Sequence, residues 1–338
     1  MTLLDNKYIK VNYPNPNTLN IYQKIKVMGE KFTRNRKFKQ FTRRLISVSK
    51  PAGQISIVGS PQSIRAVPNK DEVTILSANL CHDWPRKRGL ISRLECFVEL
   101  VEEQEADILL LQEIARTDEF YADEWLGEKL GMAYVYSRAN GNVKNINFEE
   151  GLGVFSRFPI EKPRLAQLSD YINPFHRRIA LGASIHTNLG EVVAYSVHLA
   201  ISKRKNQTQL SYLKRWVENE SRNVPAIIGG DFNAGEHTSQ IQSAQNEWWD
   251  SYREINRSGN GYTHQINWPW GEKMHHSRLD YIFFRRGQNN WHILDAKHID
   301  LDGCSISDHK PVLVKAKIIE NKVFPAMRNY DSKFQLYD

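Results

Sequence analysis

Residues 73–113 read VTILSANLCHDWPRKRGLISRLECFVELVEEQEADILLLQE, and this stretch decides the fold class. Val73 to Leu80 is a nearly continuous apolar run, the pattern of a strand buried on both faces. From Gly89 to Glu103 the period changes, and Leu90, Leu94, Phe97, Val98 and Val101 fall on one face of an amphipathic helix. Asp107 to Leu111 is again a buried strand. Strand, helix and strand in succession predict an α/β layered domain. The pattern continues downstream. Tyr134 to Ser137 and Leu152 to Ser156 are strand-like, and Ile179 to His186 with Val192 to His198 forms a hairpin around Asn188-Leu189-Gly190. A helix is expected from Asn206 to Glu220. Ala226 to Gly229, Leu279 to Phe284, Trp291 to Ala296 and Pro311 to Ile318 supply further strands. Helices alternating with strands and some hairpins imply a mixed sheet, and one folded domain is expected over residues 72–320, with a tail at 321–338.

Upstream the character differs. The 338 residues carry a formal charge of +8, but residues 1–50 hold twelve basic and two acidic side chains, a local net of +10, so the remainder is near −2. Ile21, Ile25, Met28 and Phe32, followed by Phe38, Phe41 and Leu45, recur at helical spacing. Residues 1–50 are therefore expected as a basic amphipathic arm, with partner contact through residues 20–46. Such an arm suits an anionic membrane surface, nucleic-acid phosphates, or folding back to cover the domain. Pro51, Gly53, Gly59, Pro61 and Pro68 mark 51–71 as a linker. No apolar run reaches the roughly 18 to 20 residues that cross a bilayer, and no signal-peptide pattern is present. A cytoplasmic protein is expected, with membrane contact only at its periphery. Cys81, Cys96 and Cys304 are widely spaced without a CxxC pair and are expected as reduced core thiols.

Polar residues gather where the apolar strands end: Asn79, Gln112-Glu113, His198, Asp231 with Asn233, Asp280, and Ser307-Asp308-His309. A carboxylate ending a fully apolar strand is costly unless it is paired or metal-bound. The oxygen donors Glu113, Asp231, Asp308, Asn79 and Asn233, without a cysteine or multi-histidine cluster, point to Mg²⁺ or Mn²⁺. With His198 and His309 the set suits hydrolysis of a phosphate ester: a cation neutralises phosphate oxygens, a carboxylate prepares a water, and imidazolium stabilises the growing charge.

The ordered set Asn79, Gln112-Glu113, the run Gly151 to Ile160, His198-Leu199, Gly229-Gly230-Asp231-Phe232-Asn233, Arg278 to Phe283 and Ser307-Asp308-His309 resembles the endonuclease/exonuclease/phosphatase superfamily, which includes deoxyribonuclease I. The resemblance spans about Val73 to Ile318. It implies a four-layer α/β/β/α sandwich of two packed mixed β-sheets with one site at the sheet edges. It implies Glu113 as principal metal ligand with Asn79 beside it, and Asp308 at a second metal position. Asp231 is implied to align or deprotonate the attacking water, with Asn233 as its neighbour on the phosphate. His309 and His198 become the phosphate-contacting imidazoles, with Asp280 holding the His309 ring. The Ser196-Val197-His198-Leu199 strand end is similar to deoxyribonuclease I and lipid- and inositol-directed members more than to the abasic-site branch.

For substrate contact the candidates are Arg178, Lys203 and Trp270, the last in the rigid Trp268-Pro269-Trp270 turn, while Trp248 and Trp249 are expected in the core. The expected activity is a Mg²⁺-dependent phosphodiesterase or nuclease on nucleic acid. A phospholipid-directed phosphodiesterase or phosphatase at a membrane, and a non-catalytic phosphate-binding scaffold, are the alternatives.

Overall fold

A computed structural model describes residues 9–10, 54–58, 67, 69–168, 177–267, 273–285, 290–300 and 306–319. The first sheet contains β1 (Ile9–Lys10), β2 (Gln54–Val58), β3 (Val73–Asn79), β4 (Ile108–Thr117), β5 (Ala133–Asn142), β6 (Phe148–Ser156), and two late strands. The second contains β7 (Ile160–Gln167), β8 (Ile179–Thr187), β9 (Gly190–His198), β10 (Ala226–Asp231), β11 (Trp249–Asp250) and β14 (Asp280–Arg285). A separate hairpin pairs β12 (His264–Asn267) with β13 (Lys273–Ser277), and β14 (Asp280–Arg285), β15 (Asn290–His298) and β16 (Val312–Ile319) complete the set. The sheet orders are β1-β2-β5-β6-β4-β3-β16-β15 and β11-β14-β10-β9-β8-β7.

Both sheets are mixed, for one physical reason. β3 runs parallel to β4 across the helix α1 (Leu90–Glu103), and β9 runs parallel to β10 across a later helix. The hairpin pairs, such as β8 with β9, are antiparallel. A parallel pair needs a long crossover, whereas an antiparallel pair closes with a tight turn.

Side-chain alternation then sorts the core into three slabs. Ile75, Leu110 and Val154 of the first sheet meet Leu181, Ile227 and Ile282 of the second in the central slab. On the outer face of the first sheet, Leu76, Leu109 and Leu111 pack under Leu94, Phe97 and Val101 of α1 and under Leu126 and Leu130 of α2 (Ala122–Leu130). On the outer face of the second, Tyr195, Ile228 and Phe283 lie under Leu210, Leu213 and Val217 of the crossover helix Lys203–Ser221. Adjacent strand residues such as Ile75 and Leu76 thus face opposite slabs, as the period of two requires. This is the expected α/β/β/α sandwich. Trp248 is buried in the second outer slab and Trp249 packs on the central one.

Three differences from the sequence reading stand out. Gln54–Val58, inside the segment read as a linker, pairs antiparallel with β5 and carries Ile9–Lys10 on its other edge. Its residues alternate polar and apolar, and the flanking Pro and Gly bound this strand as readily as they mark a loop. The β12–β13 hairpin was likewise unpredicted, because four- and five-residue strands give little periodicity. Cys96 is disulfide-bonded, which corrects the expectation of reduced thiols at that position, while Cys81 is free; distance in sequence says nothing of proximity after folding. The helical pattern of the arm, Trp268, Trp270, Cys304 and the tail lie outside the described residues.

Candidate active site

The site forms where strand ends of both sheets meet. In the first sheet Asn79 closes β3 opposite Gln112 of β4. A register shift between Leu111 and Ile114 then interrupts the β4–β6 ladder and re-aims Glu113, whose φ of +56° is in the left-handed region. In the second sheet Asp231, at the end of β10, is flanked by His198 of β9 and Asp280 of β14 at the same level. Gly229 and Gly230 allow this approach: a Cβ on Gly229 would lie 2.6 Å from Leu110 Cδ1 of the facing sheet, and one on Gly230 would lie 1.9 Å from the Val197 carbonyl oxygen.

Asn79 joins the two halves. Its Nδ2 donates to Glu113 Oε1 at 3.2 Å and to Asp231 Oδ2 at 3.4 Å, and its Oδ1 accepts from Cys81 N at 3.0 Å. Asp231 also accepts from the backbone N of Asn233 at 2.8 Å and from its Nδ2 at 3.1 Å, with Asn233 held at φ +48°. Non-glycine residues with positive φ cost energy, so their presence at Glu113 and Asn233 marks backbone held by its surroundings.

His198 is engaged at both ring nitrogens: Nε2 lies 3.3 Å from Asp231 Oδ2, and Nδ1 lies 3.0 Å from Arg178 Nη1. A guanidinium only donates, so Nδ1 accepts and the ring proton sits on Nε2, aimed at Asp231. Burial would raise the Asp231 carboxyl, but its hydrogen bond with His198 first, with lesser help from the His309 charge, brings it down to about 2.

His309 Nδ1 meets Asp280 Oδ2 at 2.8 Å. Burial by itself would depress this imidazolium. The charge and bond of Asp280, with the charges of Asp231 and Asp308, outweigh burial and hold it near 10. Asp280 moves upward from the ordinary carboxyl range, through burial first and the neighbouring Asp231 charge, and its Oδ1 has no hydrogen-bond partner among the described residues. Arg278, two residues earlier, leaves Asp280 to His309 because its own guanidinium is bound to Asp250 at 2.5 Å and to Glu236 at 3.1 Å.

Which side chains could hold a cation follows from their charge balance. Glu113 touches the Asn79 amide and His82, whose Nε2 lies 3.4 Å from Oε2, and no Lys or Arg pairs with it among the described residues. Asp308 contacts His264 Nε2 at 3.8 Å, and His264, chiefly, holds its carboxyl below the usual range. The free Cys81 thiol is pushed up to about 11, first by burial and then by the charges of Asp308 and Glu113, so both carboxylates act on the same point. Among the described residues, two groups bring potential ligand atoms within 4.8 Å of one another: His264, Asp308 and His309, and Asp231, Asp280 and His309. Carboxylate and amide oxygens that outnumber nearby cations suit a hard divalent ion.

Asn79, Glu113, Arg178, His198, Asp231, Asn233, Asp280, Asp308 and His309 are thus brought together. Lys203 is not among them: it opens the crossover helix with an exposed side chain. Trp270 lies outside the described residues. Sequence reasoning missed His82 and His264. His82 follows Asn79 by three residues, a local clue. His264 sits on the unpredicted hairpin and reaches His309 only through tertiary pairing, with ring centroids 4.5 Å apart.

A family model described as "Endonuclease/Exonuclease/phosphatase family" matches residues 76–309. Comparison with curated proteins gave no match. Among solved structures, the human Nocturnin catalytic domain with bound sulfate is similar at a TM-score of 0.60 and 18% identity, covering 74% of this chain and 94% of that one. An endonuclease/exonuclease/phosphatase family protein from Leptotrichia buccalis C-1013-b gives 0.58 and 18%, covering 73% and 99%. A mannosyl-6-phosphatase from Bacteroides thetaiotaomicron VPI-5482 gives 0.54 and 20%, covering 73% and 99%. At these identities the likeness is one of fold.

Proposed function

The chain belongs to the endonuclease/exonuclease/phosphatase family, whose members hydrolyse phosphate esters, and from that premise we propose that it is a Mg²⁺- or Mn²⁺-dependent phosphodiesterase acting on nucleic acid. The observation that carries the reading is the split fate of two adjacent carboxylates: Asp231, bound to His198, is kept acidic, and Asp280, bound to His309, keeps an imidazole cationic. Glu113 and Asn79 would hold the ion, with Asp308 as a further oxygen donor. When bound, the ion would supply Lewis-acid neutralisation of phosphate oxygens.

The remaining work belongs to the chain. Asp231 is ionised throughout the neutral range, so it can accept a hydrogen bond from the attacking water without first losing a proton. A carboxyl near 2 is a weak base, so in the resting site Asp231 aligns the water more than it removes its proton. His198, occupied on both nitrogens, fixes Asp231 in place, and Arg178 brings a guanidinium to the same wall. In this reading Arg178 contacts the phosphate, and His198, expected there from the sequence, positions Asp231 instead, because both its ring nitrogens are engaged. His309 has Nδ1 on Asp280, which leaves the Nε2 proton for a phosphoryl oxygen as charge develops there. Asn233 keeps its amide on the Asp231 carboxylate and the Leu199 carbonyl at 3.0 Å, shaping the water's side of the site.

The preference for nucleic acid is supported by the +10 arm and by the aromatic and basic loop 82–88 next to Glu113. The aromatics of the arm, Phe32, Phe38 and Phe41, favour the second reading, a phospholipid phosphodiesterase at a membrane surface. The deciding experiment assays wild type, Glu113→Gln and His309→Ala with Mg²⁺ or Mn²⁺ on single-stranded DNA, RNA, phospholipid vesicles and inositol phosphates. Activity on polynucleotide, lost in both variants, is expected. Wild type as inactive as the variants on every substrate would remove the enzyme reading and leave a phosphate-binding scaffold.

A further inference from the structure

The loop that follows Asn79 is built outward from the candidate metal carboxylate. His82 reaches Glu113 and packs edge-on against Phe148, with ring centroids 5.1 Å apart. Phe148 is buried and carries Trp84 on its face, stacked at 5.4 Å with 22° between the planes. The Trp84 backbone N donates to His82 Nδ1 at 2.9 Å, which ties the indole to the imidazole that touches Glu113. Trp84 is nevertheless 43% exposed. One face of the indole is covered by Phe148, so the exposure falls on the rest of the ring.

The loop is held in this shape. Arg93 donates to the carbonyls of Leu80 at 2.8 Å, Cys81 at 2.8 Å and Ile306 at 2.7 Å, and Asp83 is bonded to Arg88 Nε at 2.9 Å. Cys81, Asp83 and Lys87 all have positive φ, a conformation that persists only where surroundings impose it. Arg86 and Arg88 follow two and four residues after Trp84 and are exposed, Arg88 with its guanidinium on Asp83. An aromatic ring backed on one face and fixed by its loop, with the exposed Arg86 two residues on, beside the candidate metal carboxylate, has the form of a base-stacking platform. An indole meant for a bilayer would sit among other exposed apolar side chains, whereas residues 83–88 supply Asp83, Pro85, Arg86, Lys87 and Arg88.

We propose that Trp84 stacks the base next to the scissile phosphate and so directs the enzyme to unpaired, single-stranded nucleic acid; this rests on the nuclease reading above and names its substrate class. A paired base is already stacked and hydrogen-bonded within its duplex, so the platform discriminates against duplex. Positioning of the phosphate by Arg86 would be secondary and salt-dependent.

The test measures KM and kcat separately for wild type, Trp84→Ala and Trp84→Phe. The substrates are a single-stranded oligonucleotide, its duplex, and the same strand with base-free spacers in place of nucleosides around the cleavage position. In Trp84→Ala, KM for the single strand should rise about tenfold with kcat little changed, and the preference over duplex should shrink. Trp84→Phe should recover most of the loss, and KM for the spacer substrate should be the same in all three proteins. An unchanged KM in Trp84→Ala on the single strand overturns the platform while leaving the nuclease reading standing. Loss of sedimentation with phosphatidylserine vesicles, without any change on oligonucleotides, would assign the indole to a membrane and also overturn it. If wild type cleaves no polynucleotide, the nuclease reading fails first and takes the platform with it.

Discussion

Asp231 and Asp280 stand directly opposite each other across the β10–β14 ladder, and the fold drives their acidities apart. Two carboxylates in such a pair would repel and destabilise the sheet. Each is instead given its own histidine. His198 donates to Asp231 from the neighbouring strand, and His309 arrives from the loop before β16 to meet Asp280. Burial magnifies both interactions, so one wall of the site holds an ionised acceptor while the other holds a cationic donor. Neighbouring groups with opposed shifts are how acid and base roles are divided at one pH.

Removing the Asp280 charge exposes this division to measurement. In Asp280→Asn burial of His309 is no longer opposed by its main partner, so the alkaline limb of kcat/KM should move down from near 10 toward neutrality. With the limb near 7, about a tenth of His309 stays protonated at pH 8, so the loss there should be about tenfold. A pH–rate profile with the limb unmoved would detach His309 from Asp280.

The same pair links stability to pH. The proton on His309 is bound more tightly in the folded chain, near 10 against 6.5. Its contribution is therefore complete below about 6.5 and lost as pH rises through about 10. Asp231 behaves oppositely, contributing above 3.8 and losing that contribution as pH falls through about 2. Urea midpoints between pH 7 and 10.5 should fall in wild type and change less in His309→Gln.

Glu113→Gln should bind Mn²⁺ at least about tenfold more weakly by calorimetry and retain the wild-type melting temperature, because Glu113 makes no ion pair with Lys or Arg among the described residues. Chelation should abolish wild-type activity and Mg²⁺ should restore it. Equal Mn²⁺ affinity in the two proteins would move the cation away from Glu113.

Arg178→Ala and His198→Asn should each lower kcat/KM, by about 10- to 100-fold. Because Arg178 sets the tautomer that His198 presents to Asp231, the double variant should lose far less than the product of the two single effects. Full additivity would show that the two act independently.

Gly230→Ala would place a Cβ 1.9 Å from the Val197 carbonyl at φ +151°. A clash with backbone leaves only separation of β9 and β10, so a loss of about 3 kcal/mol or more is expected in denaturant unfolding. Activity should fall with it, since the displaced ladder aligns Asp231 with His198.

Replacing Arg34, Arg36, Lys37, Lys39, Arg43 and Arg44 by Gln should flatten the salt dependence of polynucleotide binding without altering kcat on a short oligonucleotide. An unchanged slope would remove the arm from substrate binding.

How much of this was legible in the sequence depends on the range over which each feature is decided. Whether Ile75 and Leu76 are buried is encoded locally, because apolar runs and their period state which residues leave water. The polar ends of those runs were equally local, so Asn79, Glu113, Asp231 and His309 could be read as a set. Their order along the chain carried the family resemblance. The split between a +10 arm and a near-neutral remainder is also a property of the sequence alone.

Partnership was not legible. Asn79 meets Asp231 across 152 residues, and His309 meets Asp280 across 29. That Arg278 takes Asp250 and leaves Asp280 free for a histidine follows from strand register, as does the placing of His264 against Asp308. Gln54–Val58 alternates as a strand does, but that its partner is the edge of β5 is stated by no pattern within those five residues. Periodicity specifies which face a residue turns to the core, but which strand lies beside it is set by chain crossovers and sheet packing. The residue types for phosphate-ester chemistry were therefore fixed by sequence, while the pairing that makes one carboxylate an acceptor and the other a support for imidazolium was decided by the tertiary structure.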